Sequence, residues 1–178
     1  SRTVFSGLSL QGPWSAPFPL LSWNRSGNGT IFPPAGWFQE GTDNAGADGD
    51  WYFRNTDTPS AGTGPSADHT TGVSGGAGFF AYVEDDGSNA AVSLRSPCCD
   101  VSGLAAPTLL FFYQILNGNA GGLSANSLHV DLITYPGGAV ISDVLVVGET
   151  GSGWRGASID LTPYKAQTFE IRFRGTSD

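Results

Sequence analysis

The chain has 178 residues, the length of one domain, and at this length about 70% of the unfolded surface can be buried on folding. It carries eight basic and sixteen acidic residues, a net charge of −8, which argues against a nucleic acid or an anionic membrane as partner. No run of 18 apolar residues is present, so no membrane insertion is predicted.

Short β-strands are the only secondary structure that the sequence predicts with regularity. No segment of a dozen residues keeps a helical hydrophobic period without glycine or proline, whereas apolar or alternating runs recur and end at turn residues. The predicted strands, in chain order, are 79–84, 91–95, 108–116, 127–135, 140–147, 156–161 and 168–174. This pattern indicates an all-β sandwich or barrel.

Two stretches differ from the alternating strands. Residues 108–116 form the most apolar run, which suits a central strand covered on both faces. Residues 24–78 hold few strand candidates and much glycine, proline, serine and threonine, so we expect this stretch to pack across the sheets or to carry a site.

Six acidic side chains crowd the span from residue 40 to residue 68, where Arg54 is the one basic residue. Calcium binds carboxylate and carbonyl oxygens on irregular loops, which this span supplies. The alternative is a solvated acidic loop in which Asp68 serves as a turn or cap residue. The candidate ligands of a structural Ca²⁺ are Asp50 and Asp68, with Glu40, Asp43 and Asp48 nearby, while Asp57 completes the acidic set.

Two adjacent cysteines, Cys98 and Cys99, are too close for an ordinary internal disulfide. Free thiols, a strained bridge between them, or bonds to another chain remain open, so both are candidate interface residues. Trp14, between Gly12-Pro13 and Pro17, is a third candidate for an interface.

Other polar residues point to surface roles. Asn24 and Asn28 begin two N-glycosylation sequons, which matter only in a eukaryotic host. The acidic residues 84–86 end a strand and enter a turn, so a role in the turn is favoured over a catalytic carboxylate pair. His129 points away from its apolar strand neighbours, so we expect it at the surface or in a groove rather than on a metal.

Several motifs follow one another in a specific order. Pro34-Ala35-Gly36-Trp37 is followed by Thr-Gly-Pro-Ser-Ala-Asp-His-Thr at 63–70, by Leu-Arg-Ser-Pro at 94–97 and by Gly-Ser-Gly-Trp-Arg at 151–155. Over roughly residues 34–175 this series resembles the MAM domain, the extracellular module of meprins, neuropilins and receptor tyrosine phosphatases. The block at 63–70 is its most specific part.

The resemblance implies a jelly-roll β-sandwich of two antiparallel sheets over residues 34–178, preceded by an N-terminal strand and irregular lead-in over residues 1–33. It implies a non-catalytic module of adhesion or assembly at a cell surface or in a secreted protein, with a protein partner or a second copy. A carbohydrate-binding module that stacks sugar rings on exposed aromatic residues is the alternative, with a glycan as partner.

The resemblance also implies roles for individual residues. Asp50 and Asp68 match aspartates of the family, in which several members hold a structural cation. His69 would be a hydrogen-bonded packing residue, and Trp37, Trp51 and Trp154 would pack the sandwich.

The chain departs from the family at its cysteines and at its end. It lacks the spaced cysteines of animal members, and it stops at Asp178, before the family's last strand. Either residues 1–23 fill the place of that strand, or an open sheet edge accepts a strand from another chain.

Overall fold

In the residues that the structure describes, the secondary structure consists of eleven β-strands and one short 3-10 helix. The computed structural model describes residues 3–10, 36–40, 51–59, 62–85, 92–117 and 126–176. The strands are β1 (Thr3–Leu10), β2 (Phe38–Glu40), β3 (Trp51–Arg54), β4 (Phe80–Asp85), β5 (Val92–Arg95), β6 (Cys99–Asp100), β7 (Thr108–Asn117), β8 (Ser127–Tyr135), β9 (Val140–Val147), β10 (Arg155–Asp160) and β11 (Thr168–Thr176), and the helix is Thr162–Tyr164.

The strands form two antiparallel sheets. Sheet A has the order β10-β7-β1-β4-β3, and sheet B has the order β2-β5-β11-β8-β9, with β6 pairing beside β5 on β11. Buried apolar residues from both sheets make one cluster, so the sheets pack face to face. The all-β sandwich that the sequence predicts is therefore confirmed.

The core between the sheets follows from alternation along the strands. In β11, the alternating residues Phe169, Ile171 and Phe173 are buried, and Phe173 meets Phe111 of sheet A edge to face at 5.4 Å between ring centroids. Gln39 ties the sheets at one end, because its side-chain amide donates to the Trp51 carbonyl at 2.8 Å and accepts from the Trp51 N–H at 2.7 Å.

The predicted strands match the observed ones closely from β4 onward. The bounds of β8 and β9 are those predicted, and the other five differ by one or two residues at one end or at both. Within residues 24–78 the structure places β2 and β3, which the sequence pattern did not indicate, together with a loop over residues 62–78 that covers part of sheet A.

The prediction that β7 is covered on both faces is wrong at one position. Leu109 and Phe111 face the core, and Phe112 on the other side is covered by the His69 ring. Leu110, however, is 41% exposed.

The N-terminal strand lies inside sheet A. Thr3 pairs with Asp85 of β4 on one side and with Asn117 of β7 on the other. In sheet B, β11 is likewise paired on both sides, by β8 and by β5 with β6. Part of the N-terminal segment thus takes an interior position in sheet A, and β11 is also paired on both sides within the chain.

Candidate functional site

The outward face of sheet B carries a dense set of charged side chains. Cross-strand partners share a face of a sheet, so the register brings together the outward residues of β2, β5, β11, β8 and β9. We call this surface the outer face of sheet B. Its main charged and titratable side chains are Glu40, Arg95, His129, Asp131, Asp143, Glu170, Arg172 and Arg174.

Arg95 joins three strands at one end of this face. Its guanidinium forms ion pairs with Glu40 of β2 and Glu170 of β11, and its Nε donates to Glu170 Oε2 at 2.8 Å. The same guanidinium lies 4.6 Å from the centroid of the Phe38 ring, a cation–π contact. Burial by itself would lower the pKa of Arg95, but the two carboxylates outweigh it and raise the pKa.

Asp131 is the buried centre of the face, with no exposed surface. Its Oδ2 accepts from Arg172 Nε at 2.9 Å and from Arg174 Nε at 3.3 Å, and its Oδ1 accepts the Asp143 N–H at 2.7 Å. Burial would raise the pKa of Asp131, but these hydrogen bonds and the two guanidinium charges hold it below the usual value.

Asp143 sits at an irregularity of the β8–β9 ladder. The register shifts between Val130 and Leu132, and Asp143 adopts a left-handed backbone with φ of 57°. Its carboxylate accepts from Arg174 Nη2 at 2.9 Å and lies 2.7 Å from His129 Nδ1. Asp and Asn tolerate this backbone region better than other residues with a Cβ.

His129 extends the network to Ser127, the first residue of β8. Its Nε2 lies 2.9 Å from Ser127 Oγ, which lies 2.6 Å from Thr176 Oγ1 of β11. His129 therefore faces outward, as its strand position predicts, and its ring is bound at both nitrogens.

Sequence reasoning missed this network. The available signal was the spacing of two in Ser127, His129 and Asp131, and again in Arg172 and Arg174, which puts each set on one face of its strand. The pairing between the sets depends on the register, and the position of Asp143 depends on an irregularity that no sequence pattern marks.

Asp68 serves as a turn residue. Its Oδ2 accepts the N–H groups of Thr70 at 2.8 Å and Thr71 at 2.9 Å, and its Oδ1 accepts the Thr71 hydroxyl. Burial raises the pKa of Asp68, but these donors outweigh it and the pKa lies below its usual value. A Cβ at Gly78 would overlap this carboxylate, so glycine is required there. With these donors in place, the contacts favour the turn role over a cation ligand.

The other predicted cation ligands give no assembled site in the described part of the chain. Glu40 pairs with Arg95, and Asp57 is exposed. Among the residues described, no group of three His, Cys, Asp or Glu side chains is placed to hold a metal ion. Asp43, Asp48 and Asp50 lie outside the described residues, so a calcium site built on them stays a prediction.

His69 belongs to a second aromatic cluster on the outward face of sheet A. It stacks on Phe112 with 3.4 Å between ring centroids and meets Trp154 edge-on, and Trp154 also contacts Phe80. The packing role expected for His69 agrees with these contacts. Its buried Nδ1 has no hydrogen-bond partner among the described residues, so the hydrogen bond expected of it is not seen at that atom.

The three family tryptophans lie in different places. Trp51 is buried in the main core, and Trp37 packs against that core and stacks on Phe173. Trp154 instead packs on the outward face of sheet A against Phe80 and Tyr82, which corrects its expected place inside the sandwich. All three are engaged in packing.

The remaining predicted site residues are only partly covered by the structure. Cys98 is exposed and Cys99 is buried, and both are free thiols. Trp14, Asn24 and Asn28 lie outside the described residues.

The two thiols are expected to differ sharply in reactivity. Burial raises the pKa of Cys99 to about 11, and partial burial with the Glu170 carboxylate raises that of Cys98. Titration of the native protein with a thiol reagent at pH 8 should modify Cys98 alone, and Cys99 should react only after denaturation. In the folded Cys98→Ser variant, no thiol should react with the reagent. Rapid modification of both cysteines in the native protein would show that Cys99 is accessible.

Comparisons with known proteins identify the family. The model of the MAM domain, meprin/A5/mu, matches residues 34–178, most of the chain. Neither the curated proteins nor the solved structures give a match. In the described residues, no helix has the length and apolar character needed to span a membrane. The sandwich is a jelly roll of this type, and the chain belongs to the MAM domain family.

Proposed function

We propose that this chain is an extracellular adhesion or assembly module that binds protein through the outer face of sheet B, with a second copy of the chain as its partner. Membership of the MAM family supports a protein-binding role at a cell surface or in a secreted protein. The proposed adhesion role requires no catalytic activity.

The distribution of exposed apolar side chains carries the proposal. The described residues include six large hydrophobic side chains that are exposed, and four of them lie on the outer face of sheet B: Phe38, Tyr135, Val140 and Val146. Aromatic residues and arginine are enriched at protein interfaces. This face combines both, since Arg95, Arg172 and Arg174 lie between the apolar positions.

Charge favours self-association through the same face. The chain has a net charge of −8, so two copies repel each other in most orientations. The ion-pair network on this face contains three of the chain's eight basic residues and four carboxylates, which leaves it nearly neutral. Two copies therefore meet with least repulsion here.

Carbohydrate binding has less support among the described residues. Of the described aromatic residues that could stack on a sugar, Trp37, Trp51 and Trp154 are engaged in packing, whereas Tyr135 is exposed on the outer face of sheet B. We therefore retain protein binding as the proposed function.

Sedimentation velocity over a range of concentrations tests the proposal. The wild type should show concentration-dependent association, and replacing Val140 and Val146 together by serine should weaken it about ten-fold or more, because both lose apolar contact area. Val73→Ser is the matched control, since Val73 is 56% exposed in the loop before β4, away from this face. A wild type that stays monomeric at every concentration, or a control that weakens association equally, would contradict the proposal.

A further inference from the structure

Ser127, His129 and Asp143 form a hydrogen-bonded series that adhesion does not require. Ser127 Oγ lies 2.9 Å from His129 Nε2, and His129 Nδ1 lies 2.7 Å from Asp143 Oδ1. A hydroxyl bound to one imidazole nitrogen, with a carboxylate on the other, is the arrangement that activates a serine nucleophile.

The direction of each hydrogen bond in the series follows from Asp143. A carboxylate can only accept, so the hydrogen of a neutral His129 ring sits on Nδ1 and leaves Nε2 as an acceptor. Ser127 then donates its hydroxyl hydrogen to Nε2. Because that hydrogen is committed, the Thr176 hydroxyl at 2.6 Å donates to Ser127 Oγ. The imidazole is thereby oriented to take a proton from Ser127.

The left-handed backbone conformation of Asp143 is unusual for a surface residue without a specific role. Its left-handed backbone costs conformational energy, and such residues persist where the surrounding structure holds them. Here the holding group is Asp131, a fully buried carboxylate that accepts the Asp143 N–H and is itself neutralised by two arginines. Burying the charged carboxylate of Asp131 costs free energy, because the charge loses its hydration. The position of the Asp143 carboxylate beside His129 is thus strongly determined.

We propose that Ser127 is an activated nucleophile that accepts the acyl group of a carboxylic ester, with His129 as general base and Asp143 as positioning residue. Ser127 Oγ attacks the ester carbonyl carbon while His129 Nε2 takes the hydroxyl proton. When the carbon–oxygen bond to the leaving alcohol breaks, His129 returns the proton to that oxygen and an acyl-serine remains. Water then attacks the acyl-serine with His129 again as base, which releases the carboxylic acid and restores Ser127.

Arg174 lies opposite His129 in the register. Its guanidinium contacts Asp143 at 2.9 Å and Asp131 at 3.3 Å, so it helps to hold Asp143 beside His129. In a single copy of the chain the site lies on an open sheet face, so the substrate class is a small ester with a good leaving group. Association of two copies through this face would cover the site, so labelling is measured at concentrations at which sedimentation shows a monomer.

Covalent labelling with a fluorophosphonate probe, followed by mass spectrometry of the modified peptide, tests the proposal directly. Ser127 should be labelled in preference to other serines, and the intact protein should release p-nitrophenol from p-nitrophenyl acetate. Ser127→Ala should abolish both signals. The matched control is Ser158→Ala, since Ser158 is an exposed strand serine on sheet A, and it should change neither.

Variants of the base and of its carboxylate separate catalysis from structure. His129→Gln should slow labelling about 100-fold or more, the loss expected when a general base is removed. Asp143→Asn should also slow it, because the amide favours the wrong tautomer of His129, and asparagine tolerates the same backbone.

Thermal unfolding of each variant provides the folding check. Labelling of Ser127 no faster than of Ser158, or an unchanged labelling rate in His129→Gln, would overturn the proposal. The adhesion role is measured separately by sedimentation, so failure of one proposal does not decide the other.

Discussion

Phe173→Ala is expected to lower the free energy of unfolding by about 3–5 kcal/mol, the cost of removing a buried aromatic ring and leaving a cavity. Phe173 is fully buried and lies where the two sheets meet. Its ring contacts Phe111 of sheet A and stacks on Trp37. Because Phe111 belongs to β7 of sheet A and Trp37 directly precedes β2 of sheet B, the core cannot close over the cavity without moving a sheet.

Chemical denaturation followed by tryptophan fluorescence measures this loss. Phe38→Ala is the matched control, since Phe38 is exposed on the same sheet and loses a contact with Arg95 worth about 0.5–1 kcal/mol. If both variants lose the same stability, Phe173 does not occupy the centre of the core.

Asp131→Asn is expected to cost about 2–3 kcal/mol at neutral pH, because hydrogen bonds to a charged group are lost and two guanidinium groups remain without their shared anion. The substitution keeps the shape of the side chain, so the loss reports the charge. Asp160→Asn is the control: Asp160 is exposed and its carboxylate accepts the Thr162 N–H.

The difference in stability between wild type and Asp131→Asn should depend on pH with a definite sign. The pKa of Asp131 in the folded protein lies below its usual value of 3.8, so its contribution to stability is complete above that value and is lost as the pH falls through the lowered pKa. The stability gap between wild type and Asp131→Asn should therefore be constant near neutral pH and narrow below pH 3.8. A gap that widens in acid would contradict the assigned contacts.

The strands from β4 onward were predictable because their signals are local. Alternation and turn residues lie within a few positions of one another, and β8 and β9 have the predicted bounds. β2 and β6 have three and two residues, too short for a period to show. Trp51–Arg54 of β3 stands beside glycine and acidic residues that suggested a loop.

The candidate site was much less predictable, because it depends on contacts between distant segments. Asp131 and Arg172 are 41 residues apart, and Arg95 and Glu170 are 75 apart. Nothing local to Asp143 marks its backbone conformation. The expectation for Asp68 was open between a cation ligand and a turn residue, and only its contacts with Thr70 and Thr71 favour the second.

Comparison of amide NMR spectra recorded at low and high protein concentration tests most directly whether the outer face of sheet B is the binding surface. Association through this face should shift the signals of β5, β8, β9 and β11, strongest near Val140 and Val146, while β3 and the loop at 62–78 stay unchanged. Spectra that do not change with concentration, or shifts that centre on the outward face of sheet A, would contradict the account.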